Sequence, residues 1–322
     1  MSGRPALRVG TRGSALALWQ TERVRHLLGE AGHPTDRIEI RTTGDVVQDV
    51  PLSRIGSAAL FTRQIDEAML ADRIDLAVHS LKDLPTVLPE GLVLAAVSRR
   101  EDPSDALVGR GPIRWSDLPR DATVATSSLR RRAQLLHARP DLRVSDLRGN
   151  VDTRLRKLDS AEGWSAIVLA AAGLLRLGLG NRIGERLPGA VMLPAPGQGA
   201  LAVTARADDR CAIEAARSAV HHRASALAVS AERAFLRRME GGCQVPVAAL
   251  AIIEAGDALR LHGRVISLDG RRMAEGHEAG TIREVAEAER LGVALAERLV
   301  GQGADEILSE VRAARAPSVT EP

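Results

Sequence analysis

Ala125-Thr126-Ser127-Ser128-Leu129-Arg130-Arg131-Arg132 decides how this chain is read. A β-branched apolar segment, Thr123 and Val124, stops at two serines, and three consecutive arginines open the helical pattern that follows. A strand that passes straight into a helix is the unit of an α/β fold. A helix start already presents unpaired N–H groups and partial positive charge, so arginines placed there oppose the macrodipole. An anion at the junction would neutralise both. Arg143, Arg148, Arg154 and Arg156 follow nearby. The pattern points to a site for a small molecule carrying several carboxylates or phosphates.

The alternation extends outward in both directions. Arg8 to Thr11 reads as a strand, and Ser14 as the N-cap of a helix to about Gly29, with Val24, Leu27, Leu28 and Ala31 at helical spacing. Residues 38–42 alternate like a strand, 44–59 read as a long functional or mobile loop, Phe61, Ile65 and Met69 form a helical stripe, and 74–78 a buried strand. Beyond residue 103 the pattern restarts as strand 122–127, helix 128–138, strand 142–147, helix 151–159 and strand 166–171. Thr11-Arg12-Gly13-Ser14 and Thr126-Ser127-Ser128 echo each other, each linking strand to helix. The echo predicts two α/β domains facing one cleft. Pro194 to Gly199 reads as an interdomain crossing, with strand 200–204 returning to the first domain. A helix over 223–239 ends at Gly241-Gly242, and strands 245–253 and 258–267 with a helix over 282–300 predict an α+β domain. The expected division is 1–100 with 200–218, then 101–199 carrying the arginine-rich cleft, then 219–316, with 317–322 a disordered tail.

Composition removes several function classes. The 322 residues carry 44 basic and 41 acidic side chains, a net charge of +3. No global polycation attracts nucleic acid or anionic lipid. Three Trp, two Phe and no Tyr cannot build a stacking platform for single strands. No apolar run reaches membrane-spanning length and the N-terminus lacks a signal-peptide core, so a cytoplasmic protein is expected. Cys211 and Cys243 are expected as reduced thiols, and two cysteines without suitably spaced histidines predict no metal site.

Val78-His79-Ser80-Leu81-Lys82-Asp83-Leu84-Pro85 delivers polar side chains at the end of a buried strand, where α/β sheets place ligands. A solvated turn closed by Pro85 is the plain alternative. Asp83 gains interest from its company, because a carboxylate in an arginine-lined cleft suits a cationic intermediate. Leu147-Arg148-Gly149-Asn150-Val151-Asp152-Thr153-Arg154 is a second arginine cluster at a strand-to-helix junction, with Asn150 able to cap. Glu240-Gly241-Gly242-Cys243-Gln244-Val245-Pro246 sets a thiol on a glycine-rich loop, which favours a functional cysteine. Cys211, inside a helical pattern, reads as buried and inert. His221-His222 point about 100° apart on a helix and read as structural.

These segments together resemble the porphobilinogen deaminase (hydroxymethylbilane synthase) family. The resemblance rests on Gly10-Thr11-Arg12-Gly13-Ser14 with Ala17-Leu18-Trp19-Gln20, on Val78 to Asp83, on Thr126 to Arg131, on Leu147 to Asn150, on Leu193 to Gly199, and on Glu240 to Pro246. It implies an enzyme of tetrapyrrole biosynthesis with two periplasmic-binding-protein-like α/β domains and a smaller C-terminal α+β domain. Such an enzyme joins four porphobilinogen molecules head to tail with loss of ammonia, then hydrolyses off hydroxymethylbilane. It further implies a dipyrromethane cofactor held as a thioether on Cys243 and a catalytic Asp83. Lys82, Ser128, Arg130, Arg131 and Arg154 fall on cofactor-binding positions; Arg12, Ser14, Arg148, Arg154 and Arg176 fall on substrate-binding positions. Gln198 lies in the matched hinge segment. A monomer needing no metal, nucleic acid or membrane is implied as well. One departure stands out: the family's Gly-Gly-Lys-Gly loop reads Gly56-Ser57-Ala58-Ala59 here, with Arg54 at an upstream lysine position and expected to cover part of the lost charge.

Two rival readings compete. A two-domain anion-binding or sensor protein explains the arginines but leaves Asp83 and the loop thiol idle. A nucleic-acid-binding protein fails on charge and aromatics.

Overall fold

The structure is a computed structural model and describes residues 6–42, 62–160, 163–239 and 245–314. The 44–59 loop with Arg54 and Ala58, the Cys243 segment with its glycines, and the 317–322 tail lie outside the described residues.

Local chemistry starts the first unit. β1 (Leu7–Thr11) ends at Ser14, whose extended backbone and hydroxyl cap α1 (Ala15–Glu30) by accepting the Ala17 N–H at 3.3 Å. Val24 and Leu28, one turn apart, are fully buried against the sheet. The chain continues through β2 (Thr35–Glu39), α2 (Arg63–Leu70), β3 (Leu76–Ser80) and β4 (Leu92–Val97). It then crosses to the second unit: β5 (Asp105–Val108), β6 (Thr123–Ala125), α3 (Leu129–Ala138), β7 (Arg143–Ser145), α4 (Val151–Ser160), β8 (Ala166–Ala170), α5 (Ala171–Arg176) and β9 (Glu185–Arg186). It returns as β10 (Leu201–Arg206) and α6 (Arg210–Val220).

The two sheets share one topology. Their orders are β2-β1-β3-β10-β4 and β7-β6-β8-β5-β9. In each, the strands in the first three positions are parallel, and the fourth position is an antiparallel strand. The echo between the Arg12 and Ser127 junctions is therefore structural, since β1 and β6 hold equivalent places. The carboxyl ends of the parallel strands, with the helix starts behind them, converge on one cleft.

The last unit packs α7 (Arg223–Arg238) and α8 (Val285–Val300) against an antiparallel meander of β11 (Val247–Ile253), β12 (Ala258–Ile266) and β13 (Met273–Thr281), with α9 (Ala304–Ala313) closing it. Phe235, Leu261, Leu295 and Leu299 form its core. A Cβ on Gly292 would stand 2.2 Å from the Ala231 carbonyl oxygen, so α7 and α8 approach closely only because that position is glycine.

Some expected bounds move. The strand expected at 38–42 is Thr35–Glu39, because this edge strand has β1 as its partner and takes its register from Leu7 to Thr11. The strand expected at 74–78 begins at Leu76, where its pairing with β1 and β10 sets in. Cys211 is exposed in the first turn of α6 rather than buried, since the face that packs inward carries Ala212, Ala215 and Ala216. His221 and His222 lie between α6 and α7 rather than on a helix, and both are structural: His221 Nδ1 accepts the Val97 N–H and His222 caps α7 at Ser225.

Candidate functional site

Between the two sheets lies a cavity of about 270 Å³. Arg12 and Ser14 reach it from the β1–α1 junction, and Lys82 and Asp83 from the 3₁₀ turn Leu81–Asp83 that ends β3. From the other unit come Arg131 in the first turn of α3, Arg148 and Arg154 around the start of α4, and Arg176 at the end of α5. Asn150 Oδ1 accepts the Thr153 N–H at 2.9 Å and caps α4, as expected. Gln198 and Gly199 line the cavity from the returning crossing. Asp83 is the one acidic side chain among the described lining residues.

The opening arginine run finds its anion partly inside the protein. Asp105, fully buried at the start of β5, accepts from Arg130 Nη1 at 2.7 Å and from Arg131 Nη2 at 2.6 Å. Burial alone would raise the Asp105 carboxyl, but Arg130 and Arg131 overcome that and hold it well below the usual carboxylate range. Arg130 also donates to the Leu193 carbonyl at 2.7 Å and does not line the cavity, and Ser128 is spent capping α3 at the Arg131 N–H. The macrodipole argument thus pointed to an anion correctly and to a ligand only in part.

Burial weighs against the charged form of three of the remaining cations. Burial pushes Lys82 down to about 8, with Asp83 working against it, and its Nζ donates to Gln198 Oε1 at 3.2 Å. Burial, then the neighbouring Arg131, pushes Arg154 down to about 10. Arg176 is likewise drawn down to about 10 by burial. Arg148 Nη1 is buried with no hydrogen-bond partner among the described residues. A buried cation without a partner is costly, and an incoming carboxylate relieves it. The donor set fits a group bearing several carboxylates.

A smaller chamber of about 80 Å³ adjoins the cavity beside Asp83 and Arg12. Its lining offers several donors beside the Asp83 carboxylate. Ser80 Oγ accepts from Gln20 Nε2 at 2.9 Å, and Ser14 Oγ accepts the Ala17 N–H, which leaves both O–H groups to donate. Thr62 Oγ1 is buried beside the Asp66 carboxyl. His79, fully buried and pushed down to about 4 by burial and by Arg12, stays neutral and bonds Thr204 Oγ1 at 3.2 Å. The hydroxyls and Arg12 can donate to a carboxylate, with Asp83 bounding the same space.

The structure brings together Arg12, Ser14, Lys82, Asp83, Arg131, Arg148, Arg154, Arg176 and Gln198. Cys243 lies outside the described residues. Sequence reasoning missed Asp105, whose partners sit 25 and 26 positions away, and the chamber residue Thr62. It also missed Glu232 on α7. That buried carboxylate binds Arg100 at 2.6 Å, the Gly197 N–H at 2.7 Å and the Ala251 N–H at 2.7 Å, so one side chain ties both crossings to the third unit. Among the described residues no cluster could hold a metal ion, and no helix is long and apolar enough to cross a membrane.

Comparison with known proteins gives a consistent match. Residues 7–214 match the family described as "Porphobilinogen deaminase, dipyromethane cofactor binding domain", and residues 226–301 match "Porphobilinogen deaminase, C-terminal domain". A porphobilinogen deaminase of Rubrobacter xylanophilus is 53% identical over 312 residues, covering 97% of this chain and 99% of its own. One of Moorella thermoacetica is 51% identical over 309 residues, covering 95% and 97%. One of Geotalea uraniireducens is 48% identical over 307 residues, covering 95% and 94%.

Proposed function

The chain belongs to the porphobilinogen deaminase family, and on that premise we propose how its own residues carry the reaction. The enzyme condenses porphobilinogen units in tetrapyrrole biosynthesis with loss of ammonia and carries a dipyrromethane cofactor. The cofactor, when bound, supplies the pyrrole end onto which the first substrate is joined.

The observation that carries the proposal is that Asp83 is the one carboxylate among the described lining residues, which are otherwise rich in guanidinium groups. When the aminomethyl C–N bond of the substrate breaks and ammonia leaves with the electron pair, positive charge develops on the substrate's pyrrole and methylene carbon. Asp83 accepts the pyrrole N–H and stabilises that charge where it appears. Each tenfold in rate needs 1.36 kcal/mol of such stabilisation. Arg12 and Ser14, with the donor-lined chamber behind them, hold one carboxylate arm of the substrate. Arg148, Arg154 and Arg176 hold others, and the unpartnered Arg148 Nη1 supports this role. Lys82, Arg131 and Arg154 hold the carboxylates of the cofactor, and Cys243 carries its thioether. Ser128 and Arg130 act behind Arg131, fixing its position through the α3 cap and Asp105.

The proposal extends to a cytoplasmic monomer whose domains are 1–100 with 200–218, 101–199 and 219–316. Incubation with porphobilinogen and detection of a linear tetrapyrrole, with intact mass before and after Cys243→Ala, tests the reading. A cofactor-sized mass that disappears in the variant supports it; a cofactor mass retained in Cys243→Ala overturns the attachment.

A further inference from the structure

Trp19 sits on α1, outside the cavity lining and 39% exposed, yet its ring faces the side chain of Arg176 from the opposite unit. The Arg176 Cζ lies 5.9 Å from the Trp19 ring centroid. Arg176 is 9% exposed and its Nη2 donates to the Gly199 carbonyl at 2.6 Å. That same carbonyl accepts the Glu101 N–H at 3.0 Å, so it joins the two crossings between units. Gly199 has a φ of +91°, and a Cβ there would meet the Glu101 carbonyl oxygen at 2.4 Å, so this carbonyl has little freedom to shift. Beside it, Leu16 of α1 lies against Gly173 of α5, bringing the two helices into direct contact.

We propose that Trp19 is a positioning residue for Arg176, holding its guanidinium across the cleft so that the unshared edge faces a substrate carboxylate. The inference rests on the reading of Arg176 as a substrate-binding group. The guanidinium is fixed from three sides: by α5, by Gly199 on the return crossing, and by an aromatic face from the other unit. Without the ring, the side chain keeps its carbonyl bond but can swing about it. An arginine over an indole at this distance is worth a factor of about two to five in an equilibrium. Trp19 touches no reacting atom, so the loss falls on binding rather than on the chemical step.

The test uses the full chain carrying its cofactor, with kcat and KM for porphobilinogen measured for Trp19→Leu, Trp19→Phe, Arg176→Gln and the Trp19→Leu/Arg176→Gln pair. Trp19→Leu is expected to raise KM about two- to fivefold with kcat held, and Trp19→Phe to restore most of it. In the pair, Trp19→Leu should add nothing to Arg176→Gln. Effects that multiply in the pair, or an unchanged KM in Trp19→Leu while Arg176→Gln is impaired, overturn the inference alone. An unchanged KM in Arg176→Gln overturns the underlying substrate reading with it.

Discussion

Replacing Lys82 by methionine removes a charge that the fold holds at a cost. Burial lowers the Lys82 ammonium from 10.5 to about 8, against the opposing pull of Asp83. That difference corresponds to about 3 kcal/mol spent at pH 7 to keep the lysine protonated in the folded chain. The sign follows from proton counting. Between about 8 and 10.5 the unfolded chain holds a proton that the folded one has released, so this contribution makes stability rise with pH across that window. Below the window the penalty is fully present. Lys82→Met should therefore gain up to about 3 kcal/mol at pH 7 and lose this part of the pH dependence, while its activity falls. Urea denaturation at pH 7, 8, 9 and 10, on chain free of cofactor, reads both effects. A variant less stable than the parent at pH 7, with the same slope against pH, would show that the attraction of Asp83 and Asp105 outweighs the cost of burial and refute the reasoning.

Other perturbations address neighbouring parts. Glu232→Gln should cost about 3 kcal/mol or more in chemical denaturation, because Arg100 is left buried without its charge partner; a loss under about 1 kcal/mol contradicts that. Gly292→Ala should destabilise by about 1–3 kcal/mol through the clash with Ala231 and Phe235, read in the same assay, and a neutral result would mean α7 and α8 can part cheaply. Arg148→Met should weaken porphobilinogen binding, seen as a raised KM, without lowering stability, since one end of this guanidinium is buried without a partner; a clear drop in stability would give it a structural role instead.

What could be read in the sequence was what local chemistry decides. Ser14 and Asn150 announce helix starts because a cap acts within three residues, and both cap as read; Ser128, placed inside its helix by the sequence, is the cap of that helix instead. The junction echo was legible because both units repeat a strand-to-helix step with small polar residues. Asp105 was not, since it meets Arg130 and Arg131 only after the crossing inserts β5 into the second sheet. Glu232 likewise acquires meaning only when α7 packs against both crossings. β13 escaped because Met273 to Thr281 is rich in alanine, glycine and charge, with Ala274 its one fully buried residue, so pairing with β12 rather than propensity makes it a strand. Thr62 looks ordinary in sequence, and only the fold brings it to the same chamber as Ser80 and Arg12.

The decisive comparison is turnover of porphobilinogen by the parent and by Asp83→Asn, each verified as folded and carrying the same cofactor mass. Loss of this acid from a guanidinium-lined pocket should slow ammonia release by roughly a hundredfold or more. Ammonia release at the parental rate would contradict the account at its centre.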